Sequence, residues 1–166
     1  MLVLLFGLII IFIIFRKSII IVKKGEVCIL ERLGRYRMTA TEGLTIVIPI
    51  MDKVRATISL KDTTYDFKVE NVITKDRKKV DINTSIMIRI EDPVKACYEI
   101  TSVQKGLEYI ITTTLFGEVS TLLYNDLFLE RTALLASIKE QLAVSEEAWG
   151  FITLDVSIKD INLKIN

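Results

Sequence analysis

The first 15 residues, Met1–Phe15, carry no charged or polar side chain, and no other stretch limits the chain so strongly. A helix of 15 residues is about 22 Å long at 1.5 Å per residue. The hydrocarbon core of a bilayer is about 30 Å thick. Arg16 and Lys17 follow, and can extend such a span by carrying their charges to the headgroups. After Ser18 the apolar run resumes over Ile19–Val22 and ends at Lys23 and Lys24. Residues 1–22 are therefore read as an N-terminal membrane anchor. Its apolar residues are Leu2, Val3, Leu4, Leu5, Phe6, Leu8, Ile9, Ile10, Ile11, Phe12, Ile13, Ile14 and Phe15. A single span is favoured over a shallow or re-entrant insertion, which the short length also allows. A cleaved signal peptide fits less well, because no basic region precedes the run and no A-x-A-like site follows it. A buried core helix fits poorly with apolar residues on every face.

The charges beside the anchor give an orientation. Arg16, Lys17, Lys23 and Lys24 all lie on its C-terminal side. The positive-inside rule then places the N-terminus outside and the body in the cytoplasm, as a single-pass membrane protein. The same cluster could attract anionic headgroups, which is the second reading of these four residues.

Beyond the anchor, residues 23–166 are one domain's worth of chain. Lys and Arg number 22 and Asp and Glu 21, a net charge of +1 that offers no general attraction to nucleic acid. There is no histidine, which removes the commonest general base and the commonest transition-metal ligand. Cys28 and Cys97 form no Cys-x-x-Cys pair and suggest no disulfide framework, so they are read as reduced thiols. No Gly-x-Ser-x-Gly elbow, Ser-x-x-Lys, phosphate loop or His-Glu-x-x-His occurs. Glu31, Glu42, Asp52, Asp62, Asp76 and Asp160 lie near turns and are read as surface charges or caps. No catalytic residue, metal ligand or cofactor site is assigned.

Hydrophobic periodicity divides the body. Glu26–Arg32 alternates between Gly25 and Gly34 and reads as a strand. Leu44–Ile50 reads as a second strand ending near Pro49, Asp52-Lys53 as a turn, and Val54–Leu60 as a third strand. Thr64–Val69 reads as a further short strand. The clearest strand is Val80–Ile90, with Val80, Ile82, Thr84, Ile86, Ile88 and Ile90 on one face and Asp81, Asn83, Ser85, Met87, Arg89 and Glu91 on the other, wetter one. Residues 74–79, basic around Asp76, read as a solvated hairpin loop without the aromatics a nucleic-acid patch would want.

The period then changes. Thr101 begins a Thr-x-x-Gln capping box, and Val103, Leu107, Ile110, Ile111, Thr114, Leu115, Val119 and Leu122 recur at three- and four-residue spacing, which reads as an amphipathic helix. Asp126 reads as the cap of a second helix, with a stripe of Leu127, Leu134, Leu135, Ile138 and Leu142, closed by Gly150. Trp149 is read as packing on the sheet. Alternation returns at Phe151–Ile158, with Ile152, Leu154, Val156 and Ile158 on one side. The phase slips to Ile161, Leu163 and Ile165, which calls for a bulge near Lys159-Asp160. Strands, then helices, then a strand make an α+β pattern: an antiparallel sheet with two to three packed helices behind the anchor helix.

Five local strings also resemble one family. Glu31-Arg32-Leu33-Gly34-Arg35-Tyr36 resembles E-R-x-G-[RK]-[YF], and Glu42-Gly43-Leu44 with Ile48-Pro49 resembles P-G-L…P-[FIW]. Val72-Ile73-Thr74-Lys75-Asp76 and Asp92-Pro93…Ala96…Tyr98 resemble the turn before and the helix after its long strand. Trp149-Gly150 with Val156, Ile158, Asp160 and Ile161 resembles W-G-[IV]…V-x-[IL]-x-D-[IV]. In this order they resemble the SPFH, or band 7, superfamily of stomatin, prohibitin and flotillin. Glu42 stands where proline is usual, Lys23-Lys24 where a proline-containing pair is usual, Phe116 where arginine is common and Ser120 where glycine is common. No proline follows the final strand, and the long Ala/Glu-rich coiled coil of family members does not follow within these 166 residues.

The resemblance implies an SPFH domain over residues 23–166. It further implies a membrane-anchored scaffold that self-associates and organises membrane microdomains or membrane-protein quality control. Expected partners are membrane lipid, further copies of the chain, and a small partner membrane protein or membrane protease, with no nucleic acid. The alternatives are a peripheral lipid-binding module or a regulatory subunit of a membrane protease complex.

Overall fold

The computed structural model describes residue 16 and residues 18–164. Met1–Phe15 and Lys17, to which the anchor reading applies, lie outside the described residues. Among the described residues no helix is long and apolar enough to cross a membrane. The chain divides into two compact units, the first ending at Lys61 and the second beginning at Asp62. Residues 23–166, read from the sequence as one domain, therefore span parts of both.

The first unit is all β. Its strands are β1 (Ile19–Val22), β2 (Glu26–Arg32), β3 (Arg35–Ala40), β4 (Gly43–Ile46) and β5 (Asp52–Ser59). β1 pairs antiparallel with β4 in a two-stranded ribbon, and β2 lies between β3 and β5 in a three-stranded sheet. Ile20 and Val22 of the ribbon pack with Val47 on Cys28, Leu30 and Ala40. Three sequence readings change here. Ile19–Val22 is a strand rather than the end of the anchor. Its outward face is apolar, so its composition matches that of a membrane segment. β3 has no sequence signal, because arginines occupy its outward positions Arg35 and Arg37. The turn expected at Asp52-Lys53 falls earlier. Met51 N–H and Asp52 N–H both donate to the Ile48 carbonyl, at 2.9 and 2.7 Å, so β4 stops at Ile46 and Asp52 opens β5.

The second unit is one antiparallel sheet covered by helices. β6 (Thr63–Ile73), β7 (Lys79–Ile90) and β8 (Phe151–Leu163) lie in the order β6-β7-β8. Between β7 and β8 come α1 (Pro93–Tyr98), α2 (Val103–Val119), α3 (Asp126–Leu129) and α4 (Arg131–Trp149). Their buried residues share one core: Val80, Ile82, Ile86 and Ile88 of β7 meet Leu107, Ile111, Leu115 and Val119 of α2 and Leu134, Ile138 and Leu142 of α4. The i, i+4 spacing of both helical stripes is the reason they form helices against this sheet.

Helix boundaries differ from the periodicity at three places. Ser102, not Thr101, caps α2, its hydroxyl accepting from Lys105 N–H. Asp126 lies inside the four-residue α3, and Glu130 at φ −89°, ψ 12° separates that turn from α4. Arg131 ties the start of α4 to β8 by donating to the Ile158 carbonyl. Gly150 ends α4 at φ +70°, where an added Cβ would come within 2.5 Å of the Asp92 carbonyl. β8 has the expected bulge: Asn83 opposes Asp160 and Thr84 opposes Ile158, leaving Lys159 unpaired. A second slip leaves Leu154 unpaired between Thr153 and Asp155. Phe151, Val156 and Ile158 thus face the core, and Leu154 does not.

Candidate functional site

In an antiparallel pair, directly opposed residues project to the same face. β1 and β4 oppose Ile19 with Ile46 and Ile21 with Leu44. All four point away from the first unit's core, between 45% and 78% exposed. The ribbon is therefore apolar on both faces, one packed and one bare. An exposed β ribbon ordinarily alternates apolar with polar. Fully burying one such side chain contributes about 1.5–3 kcal/mol relative to leaving it in water.

A second apolar projection lies in the same unit. Arg32 and Arg35 are paired, so Leu33-Gly34 is a two-residue hairpin turn. Both residues have positive φ, 52° and 81°, as a type I′ turn demands. Leucine is an unfavourable residue there, because its Cβ meets the following carbonyl. Leu33 is nonetheless 75% exposed, and Ile50, across a cleft of about 290 Å³, is 80% exposed. Glu31, Gly34, Met51 and Lys53 complete that cleft, and Leu33 N–H donates to the Met51 carbonyl at 3.1 Å.

A buried carboxylate fastens this tip. Asp52 accepts from Arg32 Nε at 2.7 Å and Nη2 at 3.1 Å, from Arg37 Nη1, and from Ile48 N–H at 2.8 Å. Its side chain is fully enclosed, whereas both arginines are about one-third exposed. The Arg32 hydrogen bond, then the Ile48 amide, hold its pKa down at about 2. The sequence reads Asp52 as a surface charge or cap near a turn, whereas its side chain is enclosed. The register that sets Arg32 opposite Asp52 joins residues 20 positions apart and leaves no local pattern to find.

The other singled-out acids are placed differently. Asp62 pairs with Arg89 at 2.6 and 3.0 Å, and Glu31 lies 3.7 Å from Arg55. Asp76 sits in the β6–β7 loop, takes a hydrogen bond from the Thr74 hydroxyl and accepts from Tyr124 N–H. Glu42 is exposed and Asp160 lies on β8. Among the described topology charges, Arg16 is exposed, and Lys23 and Lys24 are exposed in the β1–β2 turn. No group of three His, Cys, Asp or Glu among the described residues is placed to hold a metal ion. Trp149 packs against Phe151 of the sheet with its ring tilted by 38°, ring centres 6.1 Å apart, and also fills the space that a Cβ on Gly106 would need.

Comparison with known proteins supplies the context. The family model described as SPFH domain / Band 7 family matches residues 20–165. Stomatin-like protein 2, mitochondrial, of Homo sapiens is 30% identical over 145 residues, covering 87% of this chain and 41% of that protein. An uncharacterised protein of Mycobacterium tuberculosis is 31% identical over 146 residues, covering 88% of this chain and 38% of its own. An uncharacterised protein of Archaeoglobus fulgidus is 32% identical over 160 residues, covering 95% of this chain and 63% of its own. The chain spans about two-fifths of the length of the stomatin-like and mycobacterial relatives. The family match begins within β1 and runs through β8, so it takes in both units and the bare ribbon alike. The chain belongs to the SPFH domain / Band 7 family.

Proposed function

We propose that this protein is a membrane-anchored scaffold: it is held at the bilayer by its N-terminal apolar segment, self-associates there, and turns over no substrate. The observation that carries this reading is the bare face of Ile19, Ile21, Leu44 and Ile46, whose first strand is separated by three residues from the apolar run Met1–Phe15. A single span over Met1–Phe15, with the N-terminus outside and the body cytoplasmic, accords with the positions of Arg16, Lys17, Lys23 and Lys24. The anchor then ends before β1, and the ribbon lies against the headgroup layer. Organisation of membrane microdomains or of membrane-protein quality control, with a small membrane protein or membrane protease as partner, is the wider role proposed. A peripheral lipid-binding role is the second reading, favoured by the ribbon and by the Leu33/Ile50 tip.

One fractionation separates the two. The full chain should stay in the membrane pellet through high salt and alkaline carbonate, and deletion of residues 1–15 should release it. The truncated chain should still float with anionic vesicles at low salt, and Ile21→Thr, Leu44→Thr and Ile46→Thr together should abolish that flotation. Removal of the full chain by salt alone would reject the anchor and leave surface electrostatics. Flotation unaffected by the three threonines would remove the ribbon from the account.

A further inference from the structure

The second unit carries opposite charge at its two ends. At one end, Lys75, Arg77 and Lys78 of the β6–β7 loop and Lys79, the first residue of β7, surround Asp76, all exposed. The loop is fastened to the segment after α2. Lys75 N–H donates to the Leu122 carbonyl at 2.9 Å, Tyr124 N–H donates to Asp76 at 3.1 Å, and the Lys78 ammonium lies 4.9 Å from the Tyr124 ring centre. Tyr124 meets Phe128 edge to face at 5.7 Å. This brings the exposed apolar residues Leu123, Phe128 and Leu129 beside the four cations. The result is a rigid knob, basic and apolar at once.

At the far end of β7, α1 and the C-terminus of α4 border an open groove of about 360 Å³. Glu91, Asp92, Glu146 and Glu147 line it around a single cation, Lys95. Lys95 Nζ donates to the Glu147 carbonyl at 2.9 Å. Asp92 caps α1, and Glu146 accepts from Thr153 N–H at 2.8 Å, so two of the carboxylates are fixed in place. Val144, on the same end of α4 as the groove, is an exposed apolar residue. The four cations crowd around Asp76 at one end, with Asp126 and Glu130 on the neighbouring α3 segment, and four carboxylates surround one cation at the other.

The two ends cannot meet within one chain. β7 has 12 residues, about 40 Å at about 3.3 Å each, several times the Debye length of about 8 Å at physiological salt. Two surfaces that complement each other but not themselves make a heterologous contact, which closes into a ring or runs on as a filament. Building on the self-association reading above, we propose that the basic knob of one copy seats in the acidic groove of the next, head to tail. Apolar contact through Leu123, Phe128 and Leu129 supplies affinity, and the charges set direction and register.

The test uses the full chain, fluorescently labelled and reconstituted in liposomes, with photobleaching steps counted per spot. One variant carries Lys75→Glu and Arg77→Glu; the other carries Glu91→Lys and Glu147→Lys. Lys78, Asp92 and Glu146 are kept, because their side chains make the local contacts given above. Wild type should give spots with more than two steps. Either variant alone should give roughly tenfold fewer, because like charges now face each other. An equimolar mixture of the two should recover multistep spots, since each variant's altered end now complements its counterpart. A chain with all four substitutions should recover them too. Multistep spots unchanged in both variants would overturn this interface and leave self-association standing. Wild type confined to single steps would overturn both. Loss that neither the mixture nor the fourfold variant recovers would also overturn the interface.

Discussion

Asp52 shows how much a single residue governs in the first unit. Its carboxylate joins β2, β3, the 48–51 turn and β5 through two arginines and one amide. Asp76 does comparable work in the second unit, linking the β6–β7 loop to the segment after α2. Both carboxyls are held at about 2, below the ordinary 3.8, Asp52 chiefly by Arg32 and Asp76 chiefly by the Thr74 hydroxyl. A depressed folded-state pKa stabilises above the unfolded value and loses that contribution as pH falls through the folded one. Stability from these two groups should therefore be flat from neutral pH down to about 4 and should fall between about 4 and 2. Denaturant midpoints measured across that range check this. Asp52→Asn together with Asp76→Asn should flatten the slope, and an unchanged slope would place the acid sensitivity elsewhere.

Among the elements, the β2–β3 turn is where a local rule is broken. A two-residue type I′ turn favours Asn-Gly, and this one has Leu33-Gly34. Leu33→Asn should raise stability by about 1 kcal/mol, the order of the strain a non-glycine residue bears at positive φ. It should also weaken vesicle binding by the truncated chain, because it removes an exposed apolar side chain from the tip. Denaturation and flotation of the same variant measure both effects, and a gain in stability with no loss in flotation would separate the tip from the membrane. Elements with strong periodicity were legible in the sequence. β7 shows its buried face in strict alternation, both long helices show i, i+4 stripes, and the slip after Ile158 announced the bulge at Lys159. Those hidden from it are equally specific. β3 carries arginines outward, β1 carries isoleucines outward, and the bulge at Leu154 inverts a phase that had seemed settled by Ile152 and Leu154. Of the surfaces used in the proposals, the apolar N-terminal run is a feature of the sequence alone. The basic run around Asp76 is also visible as a local string, whereas the ribbon face and the acidic groove depend on pairings between residues remote in sequence, which composition and periodicity do not encode.

For the whole molecule, the proposed scaffold role draws on an apolar N-terminal run, a bare ribbon face and a helix-and-sheet unit with charged ends. A tether confines copies to two dimensions and raises their effective concentration, so weak contacts suffice there and fail in solution. On the scaffold reading, association beyond the dimer is therefore expected in the membrane and not in dilute solution. Crosslinking the full chain in intact membranes, beside the body lacking residues 1–17 in solution at micromolar concentration, tests this most directly. The account predicts a ladder extending beyond the dimer in the membrane and a predominantly monomeric body in solution. A full chain that remains monomeric in the membrane would contradict it.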